Sequence, residues 1–321
     1  MADVLVTGGT GYIGGVLVRS LVEQGQKVRV LLRPWSSRAA LAGLDVEESI
    51  GDLGDPGSLV QAVKGVRRVF HLGATVRLDP FAAGKMRQIN VAGTAALAAA
   101  AREAGVERLV HVSSVAAIGL GPREKPSDEA HVFDAAGYGP YFTTKHEAEE
   151  AVQAEVARGL DAVIVNPGNV VGRAAVPGGY APIIRMAARG NPFYAPGAAC
   201  YVPVGDVALG CRLAMERGRR GERYILAGDC LTHREILSMI AEVAGRKPPR
   251  WPLPEGPVLA AARIGDVLGK RWPAAFGFLN RTSARLLFHD FCASSAKAER
   301  ELGWRWGSVR EAIATEVAAL S

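Results

Sequence analysis

Residues 4–14 read VLVTGGTGYIG, an apolar strand-like run that leads directly into a glycine-rich turn. Three glycines separate that run from the amphipathic helical pattern that follows it: Gly8, Gly11 and Gly14. A strand, a tight turn and a helix in this order leave backbone N–H groups at the helix N-terminus, where the helix dipole attracts a phosphate. Glycine suits these positions because a β-carbon would obstruct the turn, the approach of a pyrophosphate or helix–strand packing. The stretch predicts a dinucleotide-binding turn, although its spacing differs from the commoner GxGxxG.

The composition is that of a globular protein. The chain has 321 residues, of which 49% are hydrophobic and 22% are charged, so we expect one large α/β domain or a domain with a smaller companion. No apolar run has the length of a membrane span, and residues 1–7 already read as a strand, so we expect neither a spanning helix nor a signal peptide. The expected location is the cytoplasm.

The formal net charge is +6, which is one indication of a nucleic-acid partner. The basic residues are scattered, however, without the clusters and stacking aromatic residues of a nucleic-acid groove. We therefore expect no nucleic-acid partner. An anionic dinucleotide gives some of these positive charges a role.

The cysteines show no CxxC spacing and no histidine partner: Cys200, Cys211, Cys230 and Cys292. We expect buried free thiols at these positions, and neither a disulfide nor a metal site.

Strand and helix patterns alternate through the first half of the chain. Strands are predicted over 3–7, 27–33, 46–50, 68–72, 108–113 and 161–166, and helices over 12–24, 55–64, 85–104 and 141–158. Apolar strands that alternate with amphipathic helices favour a parallel sheet with right-handed crossovers. The predicted fold class is therefore α/β, with a doubly wound parallel sheet of the Rossmann type.

After residue 167, proline and glycine interrupt this alternation. We divide the chain into an NAD(P)-binding domain over 1–167 and a smaller α/β substrate region over 168–321. Residues 201–227 of the second region are expected to pack back on the first. Further elements are predicted over 205–217, 223–227, 232–244, 256–270, 282–289, 295–302 and 308–319.

The end of the second strand predicts the cofactor. In dinucleotide folds an acidic residue there binds the 2′-hydroxyl of NAD, whereas an arginine accommodates the 2′-phosphate of NADP. No acidic residue stands at this strand end, and Arg33 and Arg38 flank two serines. Exposed strand ends also carry arginine without any ligand. The ribose rule favours NADP(H) over NAD(H).

Two further strand ends are candidate cofactor contacts. Asp52, followed by Leu53, ends the third strand and could bind the adenine amino group, and a turn or capping role is the alternative. The fourth strand ends in residues suited to close approach of a ligand: Leu72, Gly73 and Ala74. His71, just before them, is expected to pack within the strand and not to catalyse.

Tyr141 and Lys145 stand four residues apart at the start of a predicted helix, so they share one helical face. An ammonium beside a phenol favours the phenolate, which lowers a pKa that is ordinarily about 10. Such a tyrosine can pass a proton to or from a substrate oxygen while a nicotinamide passes hydride. Ser114, at the end of the preceding strand, would orient that oxygen. The pattern YxxxK also occurs by chance. Its occurrence after both a glycine turn and Ser114 favours a catalytic role over a chance match.

Together these motifs resemble the extended short-chain dehydrogenases/reductases, which carry TGxxGxxG, a Ser or Thr after the fifth strand, and YxxxK. Matches over 90–94, 111–116, 166–172 and 295–304 extend the resemblance along nearly the whole chain. Within the superfamily, LRP at 32–34 and GERYIL at 221–226 look most like dihydroflavonol-reductase-like proteins of the NAD-dependent epimerase/dehydratase family. Bacterial members of that group are often labelled hopanoid-associated sugar epimerases.

The resemblance implies a role for each matching residue. Tyr141 would be the general acid/base, Lys145 would lower its pKa and hold the nicotinamide ribose, and Ser114 would polarise the substrate oxygen. Asn90 would support the site. The cofactor would also contact the glycine turn and the segment after the sixth strand: Gly8, Gly11, Tyr12, Ile13, Pro167, Gly168, Asn169 and Val170. Thr144 stands where serine is usual and Asn169 where Ser or Thr is frequent, and both departures bear on the substrate.

Three functions fit this set. The arginines after the second strand favour an NADPH-dependent reductase of a ketone or aldehyde. The first alternative is a nucleotide-sugar epimerase or dehydratase, for which Arg173, Arg185 and Arg189 could bind a diphosphate, although they fit a solvated surface equally well. The second alternative is a non-catalytic NADP-binding sensor, which would not need to keep the serine, tyrosine and lysine.

The substrate pocket would be lined by residues that follow strand ends: Val76, Val115, Asn169, Tyr180, Phe193 and Tyr201. Their apolar and aromatic character suits a hydrophobic or aromatic carbonyl compound, and a place in the core is the alternative. Small residues mark helices 85–104 and 141–158: Ala95, Ala96, Ala148 and Ala151. The resemblance implies a homodimer through this helix pair, and packing within the subunit is the alternative.

Overall fold

Seven parallel strands form the central sheet of the computed structural model, which describes residues 2–78, 80–119, 121–135, 138–272 and 279–320. The strands of the described residues are β1 (Val4–Thr7), β2 (Val28–Leu32), β3 (Glu47–Ile50), β4 (Arg68–His71), β5 (Arg108–Val112), β6 (Ala162–Pro167), β7 (Asn169–Val171), β8 (Phe193–Tyr194), β9 (Ala198–Pro203), β10 (Arg223–Leu226), β11 (Asp229–Thr232) and β12 (Trp251–Pro252). The order across the central sheet is β10-β6-β5-β4-β1-β2-β3, which confirms the predicted doubly wound α/β fold.

The helices α1, α2, α4, α5 and α7 pack against the two faces of this sheet. The helices of the described residues are α1 (Tyr12–Glu23), α2 (Pro56–Val63), α3 (Ala83–Met86), α4 (Gly93–Glu103), α5 (Pro140–Ala157), α6 (Ala181–Ala188), α7 (Val204–Arg217), α8 (His233–Val243), α9 (Glu255–Arg271), α10 (Arg281–Phe288), α11 (Ala296–Leu302) and α12 (Val309–Ala318). Within the described residues, none of these helices combines the length and the apolar character that crossing a bilayer requires.

Alternate residues of β1 enter two different cores. Val4 and Val6 of β1 pack into the cluster that contains α1 and α7, whereas Leu5 packs into the cluster of α2, α4 and α5. Neighbouring side chains of a strand point to opposite faces of the sheet, so a strand covered on both faces must be apolar throughout. This burial explains why the inner strands of the sheet read as apolar runs, whereas the edge strand β3 is largely exposed.

The second half of the chain forms two smaller sheets and also adds one strand to the central sheet. The strands β11, β9 and β7 form one small sheet, and β12 pairs with β8 in another. β10 runs parallel to β6 at the edge of the central sheet, with Ile225 opposite Asn166. The segment over 201–227 therefore contributes both a strand and the packing helix α7 to the nucleotide-binding half.

The helix predicted over 85–104 is interrupted. α3 is followed by a π-helical turn, Arg87–Ala92, and only then by α4. The wider turn places the side chain of Asn90 in the interior, where it is buried and bonds to the backbone of Thr75. A continuous hydrophobic pattern does not reveal such a turn, and π-turns are frequent at functional sites.

The expectation of free cysteines is wrong for one pair, because Cys230 and Cys292 form a disulfide. β11 lies antiparallel to β9, which sets Cys230 opposite Cys200, and a bridge from Phe291 to Ala199 brings Cys292 beside both. Sequence spacing could not show this, since 62 positions separate the paired cysteines. Cys200 and Cys211 are buried free thiols, as expected. The sulfurs of Cys200, Cys230 and Cys292 all lie within 4.8 Å of one another, and binding a metal as thiolates would first require reduction of the disulfide.

Candidate active site

The glycine turn lies at the point where the strand order reverses. β1 has β2 on one side and β4 on the other, and ligands of doubly wound folds bind at such a reversal. Gly8 has φ +71°, and a β-carbon there would lie 2.8 Å from the backbone nitrogen of Gly73. A β-carbon on Gly14 would collide with the carbonyl oxygen of Gly8. Gly11 caps α1 and donates its N–H to that carbonyl at 2.9 Å. The turn therefore requires glycine and presents the N-terminus of α1 to this cleft.

A chain of hydrogen bonds connects the ends of β1 and β4 beneath the glycine turn. The hydroxyl of Thr7 accepts the N–H of Gly73 at 3.1 Å and contacts Nδ1 of His71 at 2.7 Å. Nε2 of His71 contacts the hydroxyl of Thr94 at 2.9 Å. Burial, together with the charge of Lys145, lowers the pKa of His71 to about 3, so this histidine is neutral. It is a packed strand residue, as the sequence indicated.

The side chain of Tyr12 is engaged away from the glycine turn. Its hydroxyl donates to the carbonyl oxygen of Gly172, and its ring lies against Gly178 and Gly179. Burial raises the pKa of this phenol. The side chain thus connects α1 to the second half of the chain, which leaves the backbone of the first helical turn to meet a pyrophosphate. Ile13 also packs against the core that contains α1.

The two arginines expected at the adenosine end are in different situations. Arg38 binds Glu48 of β3 through two nitrogens, at 3.0 and 2.9 Å. Arg33 is exposed, with its guanidinium 5.9 Å from the ring centre of Trp35. Because Glu48 already neutralises Arg38, Arg33 is the better placed of the two for an additional phosphate.

Asp52 adopts the turn role that was its alternative interpretation. Its Oδ1 accepts the N–H of Gly54 at 2.7 Å, and its own N–H donates to Ser58 at 3.1 Å. Leu53 is buried, and a β-carbon on Gly93 would lie 2.8 Å from the Leu53 carbonyl oxygen. These residues shape the wall of the cleft beside β3.

Asn90 joins the loop after β4 to the helix that carries the tyrosine. Its Oδ1 accepts the N–H of Thr75 at 2.7 Å, and its Nδ2 donates to the Thr75 carbonyl oxygen at 3.0 Å. The same Nδ2 lies 3.4 Å from the hydroxyl of Thr144, which donates to the carbonyl oxygen of Pro140 at 2.7 Å. Thr144 therefore keeps the hydroxyl that the usual serine provides at this position.

Ser114 lies near enough to Tyr141 to influence the pKa of the phenol. Ser114 follows β5, and its Oγ accepts the N–H of Ala116 at 3.2 Å, which leaves its own proton free to donate. Tyr141 lies in the first turn of α5. Burial raises the pKa of Tyr141, and Ser114 opposes that rise. Two of the three predicted catalytic residues are thus electrostatically coupled.

Lys145 lies one turn further along α5, with only 3% of its surface exposed. Its Nζ donates to the carbonyl oxygen of Val112 at 3.0 Å. Burial lowers the pKa of Lys145 to about 8, and the charge of Glu149 opposes that shift. The sequence predicted that this ammonium would lower the pKa of Tyr141. In the structure burial raises the tyrosine pKa instead, and Ser114 is the group that opposes the rise.

Residues that the sequence analysis missed extend the site behind Lys145. Oε1 of Glu149 accepts from Nδ2 of Asn166 at 2.6 Å, and Oε2 lies 3.5 Å from Arg223. Asn166 also donates to the carbonyl oxygen of Ser114 at 3.0 Å. The four-residue spacing of Tyr141, Lys145 and Glu149 along one face of α5 was the available signal.

The backbone after β6 closes this side of the cleft. The N–H of Gly168 donates to the carbonyl oxygen of Leu226 at 3.1 Å, and a β-carbon on Gly168 would lie 2.7 Å from the carbonyl oxygen of Ala227. Pro167 ends β6, Asn169 is half-buried at the start of β7, and Val170 is buried.

The structure brings together part of the predicted substrate-lining set, since Asn169 of β7 lies opposite Tyr201 of β9. Tyr180 and Tyr201 meet edge to face in a hydrophobic cluster, with ring centres 5.0 Å apart. Val115 is buried in a different cluster with Cys200, and Phe193 is 47% exposed on β8. The core interpretation thus holds for both tyrosines. A cavity of about 280 Å³ lies instead beside the start of α5, lined by Ala83, Gly84, Arg87, Tyr138, Pro140, Thr143 and Thr144.

A glycine turn at the reversal of a parallel sheet, with a serine after β5 and a tyrosine and a lysine in the first turns of α5, defines an extended short-chain dehydrogenase/reductase. The model of the NAD-dependent epimerase/dehydratase family matches residues 4–227. The chain belongs to that family, and it is an NAD(P)-dependent oxidoreductase.

Three curated relatives cover nearly the whole chain. Sterol demethylase protein B of Methylococcus capsulatus is 38% identical over 98% of this chain and 97% of its own. A putative dihydroflavonol 4-reductase of Synechocystis is 35% identical over 99% and 94%. The 4-hydroxy-2-methyl-3-oxo-4-farnesyl-3,4-dihydroquinoline-1-oxide ketoreductase of Stigmatella aurantiaca is 31% identical over 93% and 90%.

Solved structures agree with this assignment. The crystal structure of gox2253 has a TM-score of 0.87 and 36% identity, and it covers 99% of this chain and 97% of that one. The dTDP-glucose 4,6-dehydratase DesIV of Streptomyces venezuelae, a double mutant with NAD bound, has a TM-score of 0.78 and 25% identity over 98% and 95%.

Proposed function

We propose that this protein is an NADPH-dependent reductase of a ketone or aldehyde in an apolar substrate, with Tyr141 as the general acid. The coupling of Ser114 to Tyr141 carries the proposal, because a serine that acts on the pKa of the phenol shares one place with it at the carboxyl edge of the sheet. The residues fit a dinucleotide, since the glycine turn presents the N-terminus of α1 where the strand order reverses between β1 and β4.

The pKa of Tyr141 suits a proton donor. Because burial raises it above the ordinary value, the phenol stays protonated at neutral pH. A bound nicotinamide would supply the hydride. Tyr141 would then give its proton to the carbonyl oxygen as negative charge develops there, while Ser114 donates a hydrogen bond to the same oxygen. The ammonium of Lys145, one turn away, would stabilise the phenolate that remains.

The preference for NADP(H) rests on Arg33. Among the described residues no carboxylate pairs with its guanidinium, whereas Arg38 is paired with Glu48. The end of β2 carries no acidic side chain of its own to receive the 2′-hydroxyl of NAD. A cofactor that carries a 2′-phosphate would therefore gain a charge-assisted contact here.

The apolar substrate is supported by the names of two relatives, one a sterol demethylase protein and the other a ketoreductase of a farnesyl-bearing compound. Exposed apolar side chains in the loop after β4 agree with it, since Val76 and Leu78 both present surface to solvent.

A second candidate is a nucleotide-sugar epimerase or dehydratase. Three arginines near α6 are exposed: Arg173, Arg185 and Arg189. No carboxylate pairs with any of them in the part of the chain that the structure describes, so they are suited to a substrate diphosphate. The fold likeness to DesIV adds to this candidate.

Cofactor and substrate assays decide between the two candidates. The protein is titrated with NADPH and NADH, and then offered sterol-like ketones, aromatic aldehydes, and UDP- and dTDP-sugars in parallel. Net oxidation of NADPH with an apolar carbonyl supports the reductase. A sugar converted without net cofactor turnover contradicts the reductase and selects the epimerase or dehydratase.

The homodimer stays a prediction. Ala148 of α5 is buried within the subunit, whereas Ala95, Ala96 and Ala151 are only half-buried on α4 and α5. Sedimentation of the wild type beside an Ala151→Glu variant would measure whether this surface joins two copies.

A further inference from the structure

The helix α9 turns two large apolar side chains outward. Its buried residues are small, namely Ala262, Gly265 and Gly269, and a β-carbon on Gly265 would collide with the carbonyl oxygen of Leu279. On the opposite face Ile264 is 59% exposed and Val267 is 67% exposed. An amphipathic helix at a water-exposed surface normally has the reverse arrangement, with its apolar stripe against the core.

The same outer face is basic. Arg263, Lys270 and Arg271 are exposed beside the apolar pair, and no carboxylate binds any of them among the residues that the structure describes. The acidic residues of α9 are Glu255, in its first turn, and Asp266, which is already bound to Arg281 at 2.6 Å. Trp272, directly after the helix, is 54% exposed. We call Ile264, Val267, Trp272 and these three basic residues the α9 face.

We propose that the α9 face docks on the surface of a lipid bilayer with anionic headgroups. A helix that binds in the plane of a membrane combines an apolar stripe with lysine and arginine. The apolar stripe enters the boundary between headgroups and acyl chains, and the basic side chains contact the anionic headgroups. Tryptophan favours the same boundary, where its ring is half in an apolar environment. The positive charge of the face selects this occupant over an uncharged apolar partner.

The position of the face connects docking to the active site. α9 packs against α10, whose Thr282 lies against Gly139, and a β-carbon there would be 2.7 Å from the threonine hydroxyl oxygen. Gly139 caps α5, two residues before Tyr141. Just before α10, Nδ2 of Asn280 donates to the carbonyl oxygen of Leu78 at 3.2 Å. Docking would therefore hold the bilayer against the outer side of α9, whose inner side contacts the helix α10 that borders the start of α5.

Vesicle flotation tests the docking without any enzyme assay. The full chain is mixed with vesicles of phosphatidylcholine alone or of phosphatidylcholine with phosphatidylglycerol. We expect binding to the anionic vesicles only, with a bound fraction that falls as salt screens the charges. Replacement of Lys270 by Gln should weaken that binding about fivefold, the usual effect of one basic residue at such a surface.

A matched pair of valines gives the control. Val267→Asp should abolish flotation, whereas Val60→Asp, on the 51% exposed Val60 of α2, should leave it unchanged. Thermal unfolding and NADPH titration of both variants establish that each is folded. Equal flotation of the two variants, or no binding of the wild type to anionic vesicles, overturns the proposal. So does a wild-type dimer that Val267→Asp converts to monomers without any vesicle binding, since a second copy would then cover the face. Because flotation is independent of turnover, a failed carbonyl assay would leave this result intact.

Discussion

Ser114 lowers the pKa of Tyr141 although the two residues come from different elements, one following β5 and the other opening α5. The serine accepts a backbone N–H from Ala116 at 3.2 Å and so has its proton free for the phenol. Removal of the Ser114 hydroxyl and removal of the Tyr141 hydroxyl should therefore have different effects on catalysis.

Replacing Tyr141 by Phe should remove the proton donor and leave cofactor binding nearly intact. We expect turnover to fall by roughly 10²–10⁴-fold, the usual contribution of a general acid. Steady-state kinetics with fluorescence titration of NADPH measures both quantities. Tyr194→Phe, which alters a tyrosine of β8 that lies under Arg234, is the control and should retain activity. Full turnover by Tyr141→Phe would contradict the assigned role.

Replacing Ser114 by Ala should shift the pH profile. Ser114 lowers the pKa of Tyr141, so removal of the serine hydroxyl raises that pKa further. Reduction requires the protonated phenol, and the alkaline limb of kcat should therefore move to higher pH while kcat at neutral pH falls. Ser113→Ala is the control, because the Ser113 hydroxyl has no hydrogen-bond partner among the described atoms. An unmoved alkaline limb would show that Ser114 does not act on the phenol.

The two arginines after β2 should differ in their effect on cofactor choice. Arg33→Asp should move the ratio of kcat/KM for NADPH and NADH toward NADH, since it removes the cation that has no carboxylate partner in the described chain. Arg38→Asp should change the ratio less, because Glu48 already binds Arg38. The reverse order of effects would assign the 2′-phosphate to Arg38.

Gly8 and Gly25 allow the requirement for glycine to be separated into two parts. Both have positive φ, +71° and +76°, but a β-carbon on Gly25 meets nothing within 4 Å. Gly25→Ala should destabilise the fold by about 1–2 kcal/mol, the cost of a left-handed residue. Gly8→Ala adds a clash with Gly73, so it should cost more and weaken NADPH binding. Urea unfolding with cofactor titration measures both, and equal effects would contradict the crowded turn.

Lys145 should make stability depend on pH. Its pKa is about 8 in the native state and 10.5 ordinarily, so between these values the unfolded chain binds more protons at this position. The free energy of unfolding of the wild type should therefore gain about 3 kcal/mol relative to Lys145→Met as pH rises through that window. Urea unfolding of both proteins at several pH values tests this, and parallel pH curves would contradict it. Turnover should be lost in the variant.

The sequence predicted the central sheet well because its inner strands are covered on both faces and read as apolar runs, whereas the edge strand β3 is largely exposed. It missed β7, β9 and β11, which are short or lie in a region rich in proline and glycine. The sequence did not reveal the π-turn at Asn90, since one wider turn hardly changes the periodicity of apolar residues along a helix.

The motifs located Ser114, Tyr141 and Lys145, but their electrostatics depended on tertiary structure. The neutralisation of Arg38 follows from the position of β3 beside β2, which brings Glu48 within reach. The Glu149–Asn166 pair follows from the packing of α5 against β6. Burial of Tyr141, which reversed the expected direction of its pKa shift, could not be read from local spacing.

The amide of Asn90 occupies both backbone groups of Thr75 and also reaches Thr144 on α5. These bonds hold the loop after β4 against the helix α5, which carries Tyr141. Because folding already fixes the loop and the helix relative to each other, a bound molecule need not use its own binding energy to order them.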